Sequence, residues 1–214
     1  FALLGAIGLP NLAPLAAHPH VWAKAKIEYE FTGERCDGAW VEWEFDQMFS
    51  INMLQGAGLP GSGGKGRRVF SAQENEKMYN YGFKNLEHYG YFVLIRVGQK
   101  RFSPISVSNF SAWIDDAALN YRFFIPLAQN KLGNNFSLAI FDTTFYCDIE
   151  YRQPAVSIVQ KLDGAAVPIW TRKENKDYPV YYNPFGAATD STVYASWKPG
   201  LETAYPEEIE IRFE

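Results

Sequence analysis

The stretch VWAKAKIEYEFTGERCDGAWVEWEFD, Val21 to Asp46, decides the fold. Val21, Ala23, Ala25, Ile27, Tyr29 and Phe31 alternate with Lys24, Lys26, Glu28 and Glu30. A period of two places the apolar set on one face and the charges on the other, the pattern of a half-buried strand. Thr32 to Gly38 (TGERCDG) reads as a turn, and alternation resumes with Val41, Trp43 and Phe45 inward and Glu42, Glu44 and Asp46 outward. A hairpin with Phe31 opposite Ala39 sets Lys26 across from Glu44 and Lys24 across from Asp46. Cross-strand pairs of opposite charge favour that arrangement by roughly 0.2–1 kcal/mol each.

Downstream of the hairpin, Gln47 to Gln55 predicts a short helix, and residues 56–70 a flexible loop too rich in glycine for regular structure. Ser71 with Glu74 three residues on is a capping box, opening a helix over 71–89 that stops at Gly90. Met78, Gly82, Leu86 and Tyr89 mark its buried stripe. The rest predicts strands: Tyr91–Val97, Val107–Ile114, Leu119–Pro126, Phe136–Phe141, Tyr146–Tyr151 and Val156–Gln160. The proline-rich tail from Ala165 to Glu214 predicts loops with one edge strand. The expected class is mainly β (α+β), an antiparallel β-sandwich-like domain with a helical insertion between the second and third strands.

Composition agrees with one well-filled core. The 214 residues are 47% hydrophobic and 16% aromatic, and the net charge of -4 gives no basic footprint for nucleic acid. Phe1 to Ala17 (FALLGAIGLPNLAPLAA) stands apart: it is uncharged, apolar at first, broken by Pro10 and Pro14, and ends in small residues. This is the later part of a secretory signal peptide, with the basic start absent and cleavage expected after Ala17. Two early prolines argue against a membrane anchor, and no second long apolar run follows, so no span is expected in the mature chain of 18–214. The expected location is the periplasm. In that oxidising compartment Cys36 and Cys147 form either a disulfide or two separate buried thiols.

Few residues suggest chemistry. His18 and His20 flank Pro19 at the expected mature N-terminus. A free α-amine and imidazole on His18, with a second imidazole on the same face of an extended segment, make a chelating set suited to zinc, copper or nickel. The bland alternative is a polar tail. Further ligands for a closed site would come from His88, Glu44, Asp46, Asp142 and Asp148. His88 also suits a helix C-terminus, and Asp142 suits a turn. The chain lacks CxxC, HExxH, GxSxG and nucleotide-binding signatures. GSGGKGRR has no Ser or Thr after Lys65 and is a linker. No catalytic residues are assigned.

Four segments, HPHVWAKAKIEYEF from His18, WEFDQMFS from Trp43, NLEHYGYF from Asn85 and AIFDTTFYCDIEY from Ala139, resemble the periplasmic family called domain of unknown function 1007. The resemblance runs from His18 to about Tyr151. It implies an envelope protein, often encoded beside a nickel/cobalt-type inner-membrane transporter and linked in some bacteria to zinc acquisition. The family has also been labelled a periplasmic component of an ABC-type transport system. His18 and His20 become the leading metal contacts, and Asp46 and Asp142 match recurrent acidic positions. One departure concerns calcium. An EF-hand-like loop ending at Glu74 would place Gly63, Lys65 and Arg67 where oxygen ligands belong and Arg68 where glycine belongs, so calcium is not expected.

The expectation is a non-enzymatic accessory protein of transition-metal uptake, for zinc first, then nickel or cobalt, handing the ion to an inner-membrane permease. Two alternatives stand beside it: a metal-free interaction module of the envelope, and a copper-dependent enzyme in which His88 completes an N-terminal histidine site.

Overall fold

The computed structural model describes residues 18–61, 65–130, 132–187 and 189–214. Residues 1–17, where a signal peptide is expected, lie outside the described residues, as do 62–64 of the glycine-rich loop.

The hairpin forms as strands β1 (Val21–Thr32) and β2 (Arg35–Phe45), with the expected faces inward. Its register differs by two positions. Lys24 pairs with Glu44, Lys26 with Glu42 and Tyr29 with Ala39. The reason is the turn, which is tighter than the expected Thr32–Gly38. Only Gly33 and Glu34 separate the strands, Gly33 has a φ of 62°, and Arg35 to Gly38 already belong to β2. A shift of two leaves every side chain on its predicted face, because the period is also two.

Asp46 caps α1 (Gln47–Gly56) by accepting from the Phe49 N–H. The glycine-rich segment does not remain wholly a loop. Arg67–Val69 forms strand β3, with Arg67 over the Trp113 ring and Arg68 paired to Glu74 at 2.7 Å. Both halves of the Ser71–Glu74 capping box are made at the start of α2 (Ala72–Tyr81). The expected helix over 71–89 is interrupted, however. α2 ends at Gly82, where a side chain would collide with Met53 Cε, and a 3₁₀ segment follows over Phe83–Phe92. The break turns Phe83 fully into the core, where its ring lies 4.2 Å from Phe110 and 5.1 Å from Phe123. Tyr89, predicted on the buried stripe, is exposed instead.

Strands β4 (Val93–Val97), β5 (Lys100–Phe102), β6 (Ser108–Asp115), β7 (Ala118–Pro126), β8 (Asn135–Ile140) and β9 (Cys147–Gln160) follow. The predicted pair at 146–151 and 156–160 is the single strand β9, with Pro154 in a bulge opposite Ala25 to Ile27 of β1. A bulge on an edge strand is where a residue without an N–H is tolerated. The tail contributes β10 (Ile169–Glu174), β11 (Val180–Tyr182), β12 (Glu202–Ala204) and β13 (Glu207–Arg212). Here the expectation of loops with an edge strand is corrected. β13 lies inside its sheet between β10 and β8, because Ile209 and Ile211 alternate into the core.

Two large sheets result, a six-stranded one in the order β3-β6-β7-β2-β1-β9 and a five-stranded one in the order β10-β13-β8-β4-β5, while β11 and β12 form a separate two-stranded sheet. The protein is thus a mainly β, α+β fold. Its pairings are antiparallel except β1 with β9, which run parallel. The inner faces share one core, with Tyr29 of β1 packed on Phe136 of β8 at 6.0 Å. Among the described residues no helix is long and apolar enough to cross a membrane.

Candidate metal centre

The parallel pairing of β1 and β9 positions the histidines. His20 N–H donates to the Tyr146 carbonyl at 2.9 Å, and His18 N–H donates to the Pro184 carbonyl at 3.2 Å. The segment before β1 is therefore held between the 142–146 turn and the tail. In this grip the two imidazoles meet edge to face, their centroids 4.7 Å apart. His20 also packs on the Tyr146 ring at 5.0 Å. His18 is buried at 7% exposure. His18 Nδ1 and His20 Nε2 are buried and have no hydrogen-bond partner among the described residues. Buried polar atoms are normally satisfied, so two orphaned nitrogens on touching rings mark a place where a ligand could be held.

The tail adds a carboxylate. A methyl group at Gly186 would stand 2.7 Å from His18 Nε2 and 2.8 Å from Asp190 Oδ2, so both atoms face the same small space. Bonds from the Thr192 side chain and N–H hold the Asp190 carboxyl below its ordinary range, with His18 adding to the effect. Burial lowers the His18 pKa, and the neighbouring charge of His20 lowers it further, against the opposing pull of Asp190 and Asp142. A neutral imidazole is the metal-binding form. A cleft of about 350 Å³, lined in part by Tyr89, Asp142, Tyr146 and Asp190, reaches this end of the sheet.

The two aspartates singled out by sequence do different work. Asp142 is 2% exposed and both its oxygens accept hydrogen bonds: Oδ1 accepts from Thr144 N–H and Oγ1 at 2.9 and 2.8 Å, and Oδ2 accepts from Cys147 N–H at 3.0 Å. It shapes the turn that presents Tyr146 to His20. Asp46 caps α1 and accepts from Trp22 N–H at 3.0 Å, tying β1 to that helix. His88 is exposed on the 3₁₀ segment. Among the described residues no three His, Cys, Asp or Glu side chains converge to hold a metal ion. The structure thus brings together His18 and His20, and sets Asp190 beside them.

The disulfide candidate is corrected. Cys36 and Cys147 are separate buried thiols. Cys147 pairs with Val21 at one end of β1 and Cys36 with Phe31 at the other. Ten residues of strand separate those ends by about 33 Å, whereas a disulfide needs Cα atoms within about 7 Å. Burial pushes the Cys36 thiol up to about 12 and raises that of Cys147 as well.

Sequence reasoning missed Asp190 and the support from Tyr146 and Pro184. The turn-rich run NPFGAATD marked a loop but carried no signal of where that loop would dock.

A family model described as "Protein of unknown function (DUF1007)" matches residues 3–213. The chain belongs to this family. The matched span takes in both the histidine-bearing strand and the tail. The chain is also similar to the "Uncharacterized 15.5 kDa protein in trpE 3'region" of Spirochaeta aurantia, 27% identical over 118 residues, which cover 55% of this chain and 81% of that protein.

Proposed function

We propose that this DUF1007 protein is a periplasmic accessory protein of transition-metal uptake, binding zinc, or in second place nickel or cobalt, and relaying it to an inner-membrane permease. The observation that supports this is the contact between His18 and His20, each with an orphaned buried nitrogen. His18 and His20 would hold the ion, with Asp190 the nearest further donor. A structural zinc site closes with four protein ligands. A site offering two imidazoles and a flanking carboxylate leaves coordination positions for an incoming or outgoing partner, which suits relay better than storage. If processing after Ala17 frees the His18 amine, that nitrogen joins the set.

The pH dependence follows from the His18 environment. Protons compete with metal for imidazole, so affinity falls with pH. Because the His18 pKa is lowered, the fall begins at more acid pH than for a free imidazole. The deciding experiment is calorimetry with zinc, nickel, cobalt and copper on the full chain and on the chain beginning at His18. Each is compared with its His18→Ala/His20→Ala counterpart. Loss of even an outer-shell partner weakens metal sites 10–100-fold, so loss of both imidazoles is expected to cost at least about a hundredfold. Equal affinity in parent and variant would sink the metal reading. It would favour a metal-free interaction module of the envelope.

A further inference from the structure

Beneath the histidine pair lies a second, chemically different cavity. It measures about 180 Å³ and enters the core between the N-terminal end of β1 and the Gly82 break. Trp43, Phe45 and Tyr121 form a buried floor, while Met53, Leu86 and Tyr146 form a half-buried rim. No charged side chain lines it among the described residues.

The floor carries unsatisfied polarity. Tyr121 is 2% exposed and Trp43 is 1% exposed, yet Tyr121 Oη and Trp43 Nε1 have no hydrogen-bond partner among the described residues. Tyr121 Oη reaches the cavity wall at Gly82, standing 3.7 Å from where a side chain there would begin. Indole N–H is a donor only. Burial raises the Tyr121 pKa far above neutrality, so the phenol keeps its proton and can donate too. Burying such groups unpaired costs on the order of 1–3 kcal/mol each, a cost that a ligand's acceptor would remove. An apolar cavity of about 150 Å³ accommodates a benzene-sized molecule.

We infer that this cavity is a binding site for a small, neutral, largely apolar molecule of about one aromatic ring, whose single acceptor oxygen takes a hydrogen bond from Tyr121 or Trp43. Few polar groups in a mostly apolar, preformed concavity is the usual construction of small-molecule sites. Tyr146 lines the rim and packs on His20, so the site adjoins the metal centre without depending on its ligands.

Acetophenone and α-methylstyrene test it, since they share shape, a methylene group replacing the carbonyl oxygen, and only the first has an acceptor. Binding is followed on the chain of 214 residues through the Met53 methyl resonance in methyl-labelled material, one of three methionines. Acetophenone is expected to bind several-fold more tightly. Tyr121→Phe, which removes an oxygen without a partner, should cut that preference about fivefold, the worth of one net hydrogen bond. Leu86→Trp, at a half-buried rim position that tolerates bulk, should abolish binding of both. His18→Ala/His20→Ala should keep the preference for acetophenone, since neither imidazole lines the cavity, which separates this site from the metal reading. No binding of either probe, or equal binding of both that is insensitive to Tyr121→Phe, would overturn the inference.

Discussion

The outer face of the six-stranded sheet and the histidine end of β1 treat polarity in opposite ways. On the outer face many charges are matched. Arg122 contacts Glu28 at 2.8 Å and Glu42 at 3.5 Å, Arg152 pairs with Glu42, and Lys161 pairs with Glu30 at 2.7 Å and Asp37 at 3.4 Å. The second sheet buries Glu208 at 2% exposure but surrounds it with Arg96, Ser137 and Asn175. Four of the six buried side-chain polar atoms without a partner among the described residues lie toward the histidine end, His18 Nδ1, His20 Nε2, Trp43 Nε1 and Tyr121 Oη, the other two being Tyr29 Oη and Arg68 Nε. Satisfied polarity is structural. Unsatisfied polarity gathered at one end of a strand is where the fold leaves room for something else.

The sharpest way to break this contrast is through Glu208. Arg96→Met leaves a buried carboxylate short of its ion pair and should destabilise by about 3 kcal/mol in denaturant unfolding at neutral pH. Burial raises the Glu208 pKa, but the Arg96 pair and the bonds from Ser137 and Asn175 outweigh it, so the net shift is downward. A depressed folded pKa contributes stability above the unfolded value of about 4.3, lost as pH falls through the folded one. Parent and variant should therefore converge only once the pH has fallen below the depressed folded value. Equal stability at pH 7 would show that the saturated network is not structural.

Next in size is the histidine pair, whose replacement by alanine should weaken metal binding at least about a hundredfold while costing only about 1 kcal/mol of stability, the worth of the ring contacts. A stability loss as large as that of Arg96→Met would erase the distinction between the two regions. Ser71→Ala removes one half of the capping box and should cost about 1 kcal/mol by thermal or denaturant unfolding. The smallest effect belongs to Lys24→Gln. Its exposed pair with Glu44, 3.7 Å apart, should be worth less than about 0.5 kcal/mol. A larger loss would mean that the outer face acts as a cooperative network rather than as separate pairs.

Alternation in Val21–Phe45 and the Ser71–Glu74 spacing were enough to read the β-rich class, the hairpin faces and the start of α2, because they depend on local periodicity and on bonds three residues long. The two histidines were legible as a pair because two positions along an extended segment share a side. Other features had to wait for the tertiary structure: the parallel docking of β9, the insertion of β13, the break at Gly82, the distance between the two cysteines, and the arrival of Asp190 beside His18. Each is set by contacts between residues far apart in the chain. Such contacts follow from burying both sheet faces at once, and no window of neighbouring residues encodes them.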